Sequence, residues 1–332
     1  MKISISTLKE VMTNALRAKE YSDADIPFII DMFLGGELRG HVSHGLASFS
    51  GFIAQDFSGL SAPEVLAETQ AVFIIDAKSH SGNIVGKRAA DEAITRAKKA
   101  IVGTALVKNM DSWLRPGAIA EYIARQGYFA IVMNDGGGSG VAPPGGYDPV
   151  VSTNPIAYAI PTEKEPLVVD LATAKRAWGQ VRLANKYGTE LPEDTYYDTS
   201  GQITRDPKLA HSVMPMGDYK GFALALMIEI LCGSLVGMEN MFVDTKGNGS
   251  QFGRKMMERG GIILVIDPRQ TSGNINFKQA NTTLLERIHA TNALFGETIR
   301  IPGEKAGELA KQRTDANEID IPRELWEEIK NL

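Results

Sequence analysis

Five short apolar runs, at 71–75, 101–107, 128–133, 156–160 and 167–171, constrain this chain more than any other feature of it. Each is bounded by turn residues and partly separated from the next by helix-patterned sequence, as expected of buried strands in a mixed α/β sheet. A further run at 261–266 and the short Ile299-Arg300-Ile301 extend the strand pattern. Ahead of the first run the pattern is helical. Thr7 to Glu10 reads as a capping box, followed by Leu8, Val11, Met12, Ala15 and Leu16 at helical spacing. Ser22 is placed to cap a second helix with the apolar face Ile26, Ile29, Ile30, Phe33, Leu34 and Leu38. Leu46, Phe49, Phe52 and Ile53 predict a third helix, ended by Ser58-Gly59. Residues 179–218 are polar and turn-rich and predict long surface loops or a small hairpin. The most hydrophobic run, 222–232, predicts a core helix, and a loop rich in Gly, Asn and Lys follows it. Helices are also expected at about 277–294 and from 303 to the end. No linker is visible, so the two helical ends (1–66 plus 303–332) are expected to pack together as one unit around an inserted mixed α/β domain, 67–302.

With 40 acidic against 35 basic residues, the chain carries a formal net charge of −5 and offers no electrostatic footprint for nucleic acid. The run at 222–232 is too short to span a membrane and Glu229 interrupts it, so no membrane partner is expected either. The single cysteine, Cys232, excludes an intrachain disulfide and suits a reducing compartment. Nothing at the N-terminus reads as a signal core, and a cytoplasmic location with small-molecule partners is the expectation.

The chemistry is expected to start at Arg39-Gly40-His41-Val42-Ser43-His44-Gly45, where a helical pattern breaks at a glycine and presents two histidines and a serine. An imidazole gives or takes a proton near neutral pH, and beside a hydroxyl at a helix end it is an acid/base candidate. The plainer reading is that His41 and His44 cap the helix and favour its dipole. Gly82 to Arg88 resembles a phosphate loop only loosely, having three residues between its glycines, and is read as a helix start. The glycine-rich stretch 136–146 follows a strand, but its prolines stand where a dinucleotide fingerprint needs a third glycine and a helix, so it is read as a ligand-contacting loop. His41, His44 and Asp170 lack any recognised metal-ligand spacing, and no metal is expected.

Five motifs in register then carry a resemblance over nearly the whole chain. They are Arg39-Gly-x-x-Ser43-His44-Gly45, Ser152-Thr153-Asn154-Pro155, Val169-Asp170-Leu171-Ala172, Tyr219-Lys220-Gly221-Phe222 and Ile301-Pro302-Gly303-Glu304. Their order and spacing resemble those of the malate/L-lactate dehydrogenase family, a non-Rossmann group. The resemblance implies an α/β fold of the sulfolactate dehydrogenase type, with a mixed β-sheet domain and a helical domain formed by the two chain ends. It also implies NAD or NADP as cofactor and a homodimer, or a larger homo-oligomer, with the site near the subunit contact.

Residue by residue, the resemblance makes His44 the acid/base, with Ser43 and Asp170 holding its ring. It makes Lys220, beside Tyr219, a cofactor contact at a helix start, and Asp170, Leu171, Ala172, Thr173, Ala174, Gly303 and Glu304 the segments lining the nicotinamide nucleotide. The departures fall on the substrate side. Ser48 stands where the family commonly has a carboxylate-clamping arginine, Ser112 where it has a second histidine, and Gly136 where a serine is usual. Loss of a bidentate clamp disfavours small 2-oxo acids unless Arg115, Arg39 or Lys175 takes over. The expected activity is therefore an NAD(P)-dependent reduction of a ketone or imine, or the reverse oxidation, on an atypical 2-oxo acid, diketo acid or cyclic imine. The alternative is a non-catalytic cofactor-binding relative serving as a ligand sensor or assembly component.

Overall fold

The computed structural model describes residues 1–332 except 58, 139, 239–258 and 274. The N-terminal half runs β1 (Lys2–Ser4), α1 (Ile5–Ala18), α2 (Ile26–Leu38), two 3-10 turns (Val42–His44 and Leu46–Ser48) and α3 (Phe49–Ile53). It continues with β2 (Glu64–Glu68), β3 (Val72–Asp76), α4 (Gly82–Ala100), β4 (Val102–Met110), α5 (Pro116–Arg125) and β5 (Phe129–Asn134). Then come β6 (Ile156–Ile160), β7 (Leu167–Leu171), α6 (Gly179–Tyr187), β8 (Tyr196–Tyr197), β9 (Ile203–Thr204), β10 (Ser212–Val213) and α7 (Tyr219–Glu229). The last elements are β11 (Arg259–Ile266), α8 (Pro268–Thr271), α9 (Phe277–His289), α10 (Glu304–Ala316), β12 (Glu318–Asp320) and α11 (Arg323–Lys330).

The main sheet has the order β2-β3-β4-β11-β5-β6-β7. Only β3 and β4 pair in parallel, joined over one face by α4, and the other neighbours are antiparallel. The fold is thus mixed α/β, as the apolar runs require. Strand β2 escaped the sequence reading because it is an outer strand whose side chains are almost all exposed, so it has no apolar alternation to betray it. Ile299 to Ile301, read as strand-like, is irregular; Ile301 is buried, but no ladder among the described residues includes it.

At the chain ends, β1 pairs antiparallel with β12 and Ile5 N–H donates to Asn317 O. One apolar core runs from Leu8, Met12, Phe33 and Phe49 through the sheet residues Phe73, Val107 and Val132 to Ile319 and Ile329. Helix α1 begins one turn earlier than its sequence suggested: Ser4 is the cap, with Thr7 N–H donating to Ser4 Oγ at 3.0 Å. Ser22 Oγ accepts from Asp25 N–H at 3.2 Å and fixes the turn before α2 rather than capping it.

The polar segment after 179 holds more order than its composition announces. Helix α6 and the small sheet β10-β8-β9 enclose a second core of Val141, Val181, Leu191, Tyr196 and Val213. The predicted core helix is also corrected. In α7 only Gly221, Ala225, Ile228 and Glu229 are buried, whereas Tyr219, Leu224, Leu226 and Met227 are exposed, and a π-turn (Ile230–Ser234) then buries Cys232. The Gly/Asn/Lys-rich loop after it, together with Ser58 and Ser139, lies outside the described residues.

Candidate active site

The His44 turn is assembled by close backbone approach. Gly40, at φ +78°, ends α2, and His41 N–H returns to Gly36 O at 2.9 Å. A methyl on Gly36 would sit 2.5 Å from His44 O, and one on Gly45 would run into Glu37, so both positions must be glycine for the turn to lie this tightly on α2. The buried Glu37 carboxylate accepts from Leu46 N–H at 3.0 Å. On the other side, Arg313 of α10 donates to Glu37 O at 2.6 Å and Leu38 O at 3.2 Å, covering orphan carbonyls at the end of α2. Helix α10 therefore braces the turn that carries the histidine.

Ser43 Oγ and His44 Nδ1 are 2.8 Å apart. Burial pulls the His44 ring pKa down to about 4, reinforced by the positive fields of Arg115 and Arg182, so the ring is neutral near pH 7. His41 is held at about 4 in the same way, by burial, Arg115, His44 and Arg39. Asp170 serves the site at one remove. Its Oδ2 accepts from Gly117 N–H at 3.0 Å at the start of α5, and its charge faces Arg115. Burial raises its pKa, while Arg115 and the Gly117 bond oppose that rise.

The segments of the other motifs meet around β7. Thr173 N–H and Oγ1 both bond Thr153 O at 3.0 Å, Met216 N–H bonds Thr173 O at 2.8 Å, and Ala174 bridges to Pro215. These bonds seat 170–174 against the entry to α7. That helix begins at Tyr219 and Lys220 with no side-chain cap, both residues exposed. Gly303, at φ +93°, lies so close to Val168 O that no Cβ would fit, which places the start of α10 against β7. Glu304 is engaged locally: Oε2 accepts from Ile301 N–H at 3.0 Å, and Oε1 meets His289 Nε2 at 2.7 Å.

The malate/L-lactate dehydrogenase family model matches residues 3–330. The chain belongs to this family. L-sulfolactate dehydrogenase of Methanocaldococcus jannaschii is 30% identical over 330 residues, covering 98% of this chain and 94% of the relative. Its solved structure superposes with a TM-score of 0.85 at 28% identity, over 100% of this chain and 96% of that one. The (2R)-3-sulfolactate dehydrogenase (NADP(+)) of Chromohalobacter salexigens is 31% identical over 314 residues, 90% of this chain and 87% of the relative. The 2,3-diketo-L-gulonate reductase of Salmonella typhi is 26% identical over 341 residues and the whole of both chains. This malate/L-lactate dehydrogenase family member is an NAD(P)-dependent oxidoreductase. An uncapped helix start beside an exposed lysine suits the dinucleotide's phosphates, so the residues present fit that cofactor.

In this family member the rewritten substrate side has its own geometry. Ser48 Oγ donates back to Ser43 O at 3.0 Å and stiffens the turn. Ser112 Oγ accepts from Leu114 N–H at 2.9 Å, and Gly136 lies so close to Ser152 that no side chain fits there. Both serine hydroxyls are thus engaged with backbone, and Gly136 lies against the Ser152 side chain. Arg115 instead sends a guanidinium into the site, 4% exposed, with Nη1 on Met32 O at 3.2 Å and Nε unpartnered among the described residues. No pattern along the chain pointed to Arg182: helix α6 packs on the His44 turn and brings its charge to bear on the ring, a placement that only the fold produces.

The two depressed histidines make the fold acid-sensitive. An unfolded histidine titrates near 6.5, whereas His41 and His44 titrate at about 4 in the fold, so between those values the unfolded chain binds more protons. Stability is accordingly lost as pH falls from about 6.5 to about 4, by at most ~1.4 kcal/mol per pH unit for each ring and less for the more solvent-screened His41. Urea unfolding across that range should show the fall, with a shallower slope in His44→Gln. Equal slopes in the two proteins would remove His44 from the cause.

Proposed function

We propose that the His44 site moves a proton to and from the substrate oxygen while hydride passes between the nicotinamide and a 2-oxo acid, diketo acid or cyclic imine. The observation that carries this reading is the Ser43 Oγ to His44 Nδ1 contact at 2.8 Å in a site with a positive field from two guanidiniums. With Nδ1–H donating to Ser43 Oγ, the neutral ring keeps its lone pair on Nε2, the nitrogen left free to face substrate. The neutral ring is ready to accept a proton as an alcohol is oxidised. In the reducing direction, an anionic substrate offsets the positive field and lets the ring carry the proton that the carbonyl oxygen takes up. Asp170 acts through Arg115 and the start of α5. The backbone of Leu171 to Ala174, with Tyr219, Lys220, Gly303 and Glu304, would hold the dinucleotide, whose bound nicotinamide supplies the hydride. The relatives named for sulfolactate and diketogulonate support a carboxylate-bearing substrate.

Nicotinamide absorbance followed with NADH and NADPH over a panel of 2-oxo acids, diketo acids and cyclic imines tests the reading. At least one class should be turned over, and silence across the panel with both cofactors would refute it.

The same proposal includes a homodimer and a cytoplasmic setting. Leu224, Leu226, Met227, Ile230 and Leu235 around α7, and Ile275, Leu284, Leu294 and Phe295 around α9, are exposed apolar side chains of the kind a subunit contact covers. The one cysteine, buried and free, suits a reducing compartment. Light scattering at micromolar concentration should give a particle of at least twice 36.0 kDa; a monomer would rule out the dimer.

A further inference from the structure

We propose that Arg182, on the helix packed across the His44 turn, is the residue that binds the substrate's carboxylate and so sets this enzyme's preference for anionic substrates. The inference rests on the 2-oxo acid reading of the His44 site.

Its basis is a survey of the cations around that site. Arg39 is occupied, with Nη2 on both oxygens of Glu121 at 2.6 and 2.7 Å and Nη1 on Gly35 O. Lys175 is occupied as well, its Nζ on Asp194 O at 2.5 Å and Met214 Sδ at 3.5 Å. Arg115 is buried, bonds Met32 O and has the Asp170 carboxylate as its counter-charge. Of these four, Arg182 is the one with neither acceptor nor counter-ion among the described residues, and it is exposed.

Its placement is specific. The position that a Cβ on Gly179 would take is 3.6 Å from Arg182 Nη2, 3.5 Å from Ser43 Cβ and 3.8 Å from Ser43 Oγ. The guanidinium and the serine that holds His44 therefore border one small space, left open because residue 179 has no side chain. Helix α6 packs on the turn that carries Ser43 and His44, so a carboxylate entering beside that turn meets a fork of N–H donors from Arg182. The planar guanidinium matches a carboxylate in two parallel hydrogen bonds, which a lysine ammonium cannot reproduce.

The test uses oxamate and oxalate, unreactive carboxylates shaped like a 2-oxo acid, titrated calorimetrically into the NADH-saturated protein, alongside steady-state kinetics. In Arg182→Gln the dissociation constants of both probes and the KM of the best 2-oxo acid should rise about 10- to 100-fold, with thermal midpoint and NADH affinity close to wild type. Arg182→Lys should recover only a minor part of the loss. In wild type, oxalate should also raise the His44 ring pKa followed by NMR, and in Arg182→Gln it should not. Unchanged probe affinity in a folded Arg182→Gln protein would overturn the assignment while leaving the 2-oxo acid reading intact. A selective loss of NADPH over NADH affinity would overturn it too, giving the arginine to the cofactor's extra phosphate. Failure of the wild-type protein both to bind the probes and to reduce any 2-oxo acid would sink the substrate reading itself.

Discussion

His44→Ala should lower turnover by roughly 10²- to 10⁴-fold while leaving NADH binding close to wild type. The magnitude is that of a positioned general acid or base. The separation of effects follows from the structure, because the ring lies on the 3-10 turn after α2, bonded to Ser43, whereas the segments that would hold the dinucleotide are knit together around β7 and the start of α7. Stopped-flow binding of NADH and steady-state rates with the best substrate provide the two readouts. Ser43→Ala gives the intermediate case, since it removes the hydroxyl that fixes the ring tautomer but leaves the imidazole. Turnover unchanged in His44→Ala would move the proton-transfer role to another group.

Asp170→Ala should destabilise the protein by about 3 kcal/mol, an effect on the fold rather than on a substrate contact. Arg115 is 4% exposed, and its Nε has no partner among the described residues, so the Asp170 charge is what makes its burial tolerable. Removing one member of a buried opposite-charge set leaves the other uncompensated, which costs more than the set itself contributed. The same change strips Gly117 N–H of its acceptor, adding an orphan donor at the start of α5. Urea unfolding measures the loss, and the double variant Arg115→Met/Asp170→Ala should regain most of it, because the charge that needed balancing is gone. A loss below ~1 kcal/mol in Asp170→Ala would mean that solvent already screens Arg115.

Much of the fold was legible in the residues. Apolar runs such as 156–160 and 167–171 became strands in place, because strands at least half-covered on both faces stay largely apolar. The glycine break after α2 announced the His44 turn, since Gly40 takes a backbone angle that other residues avoid. What the run at 222–232 could not disclose is which neighbours its side chains would find. Hydrophobicity marks a surface that avoids water, and α7 leaves half of that surface uncovered within its own chain.

The order and type of the main strands, the turn that presents Ser43 and His44, and membership of a non-Rossmann dehydrogenase family are properties that the sequence by itself determined, because each rests on local patterns along the chain. The partners of the site residues were decided only by tertiary structure. Ser48 and Ser112 were expected to face substrate but bond backbone, Gly136 lies against the Ser152 side chain, Asp170 faces Arg115 and bonds the start of α5, and the charge of Arg182 acts on His44 from a segment whose composition suggested a surface loop. The reason is physical: a side chain's charge acts over several ångströms in every direction, and which charges share that distance depends on how distant segments pack, not on their spacing along the chain.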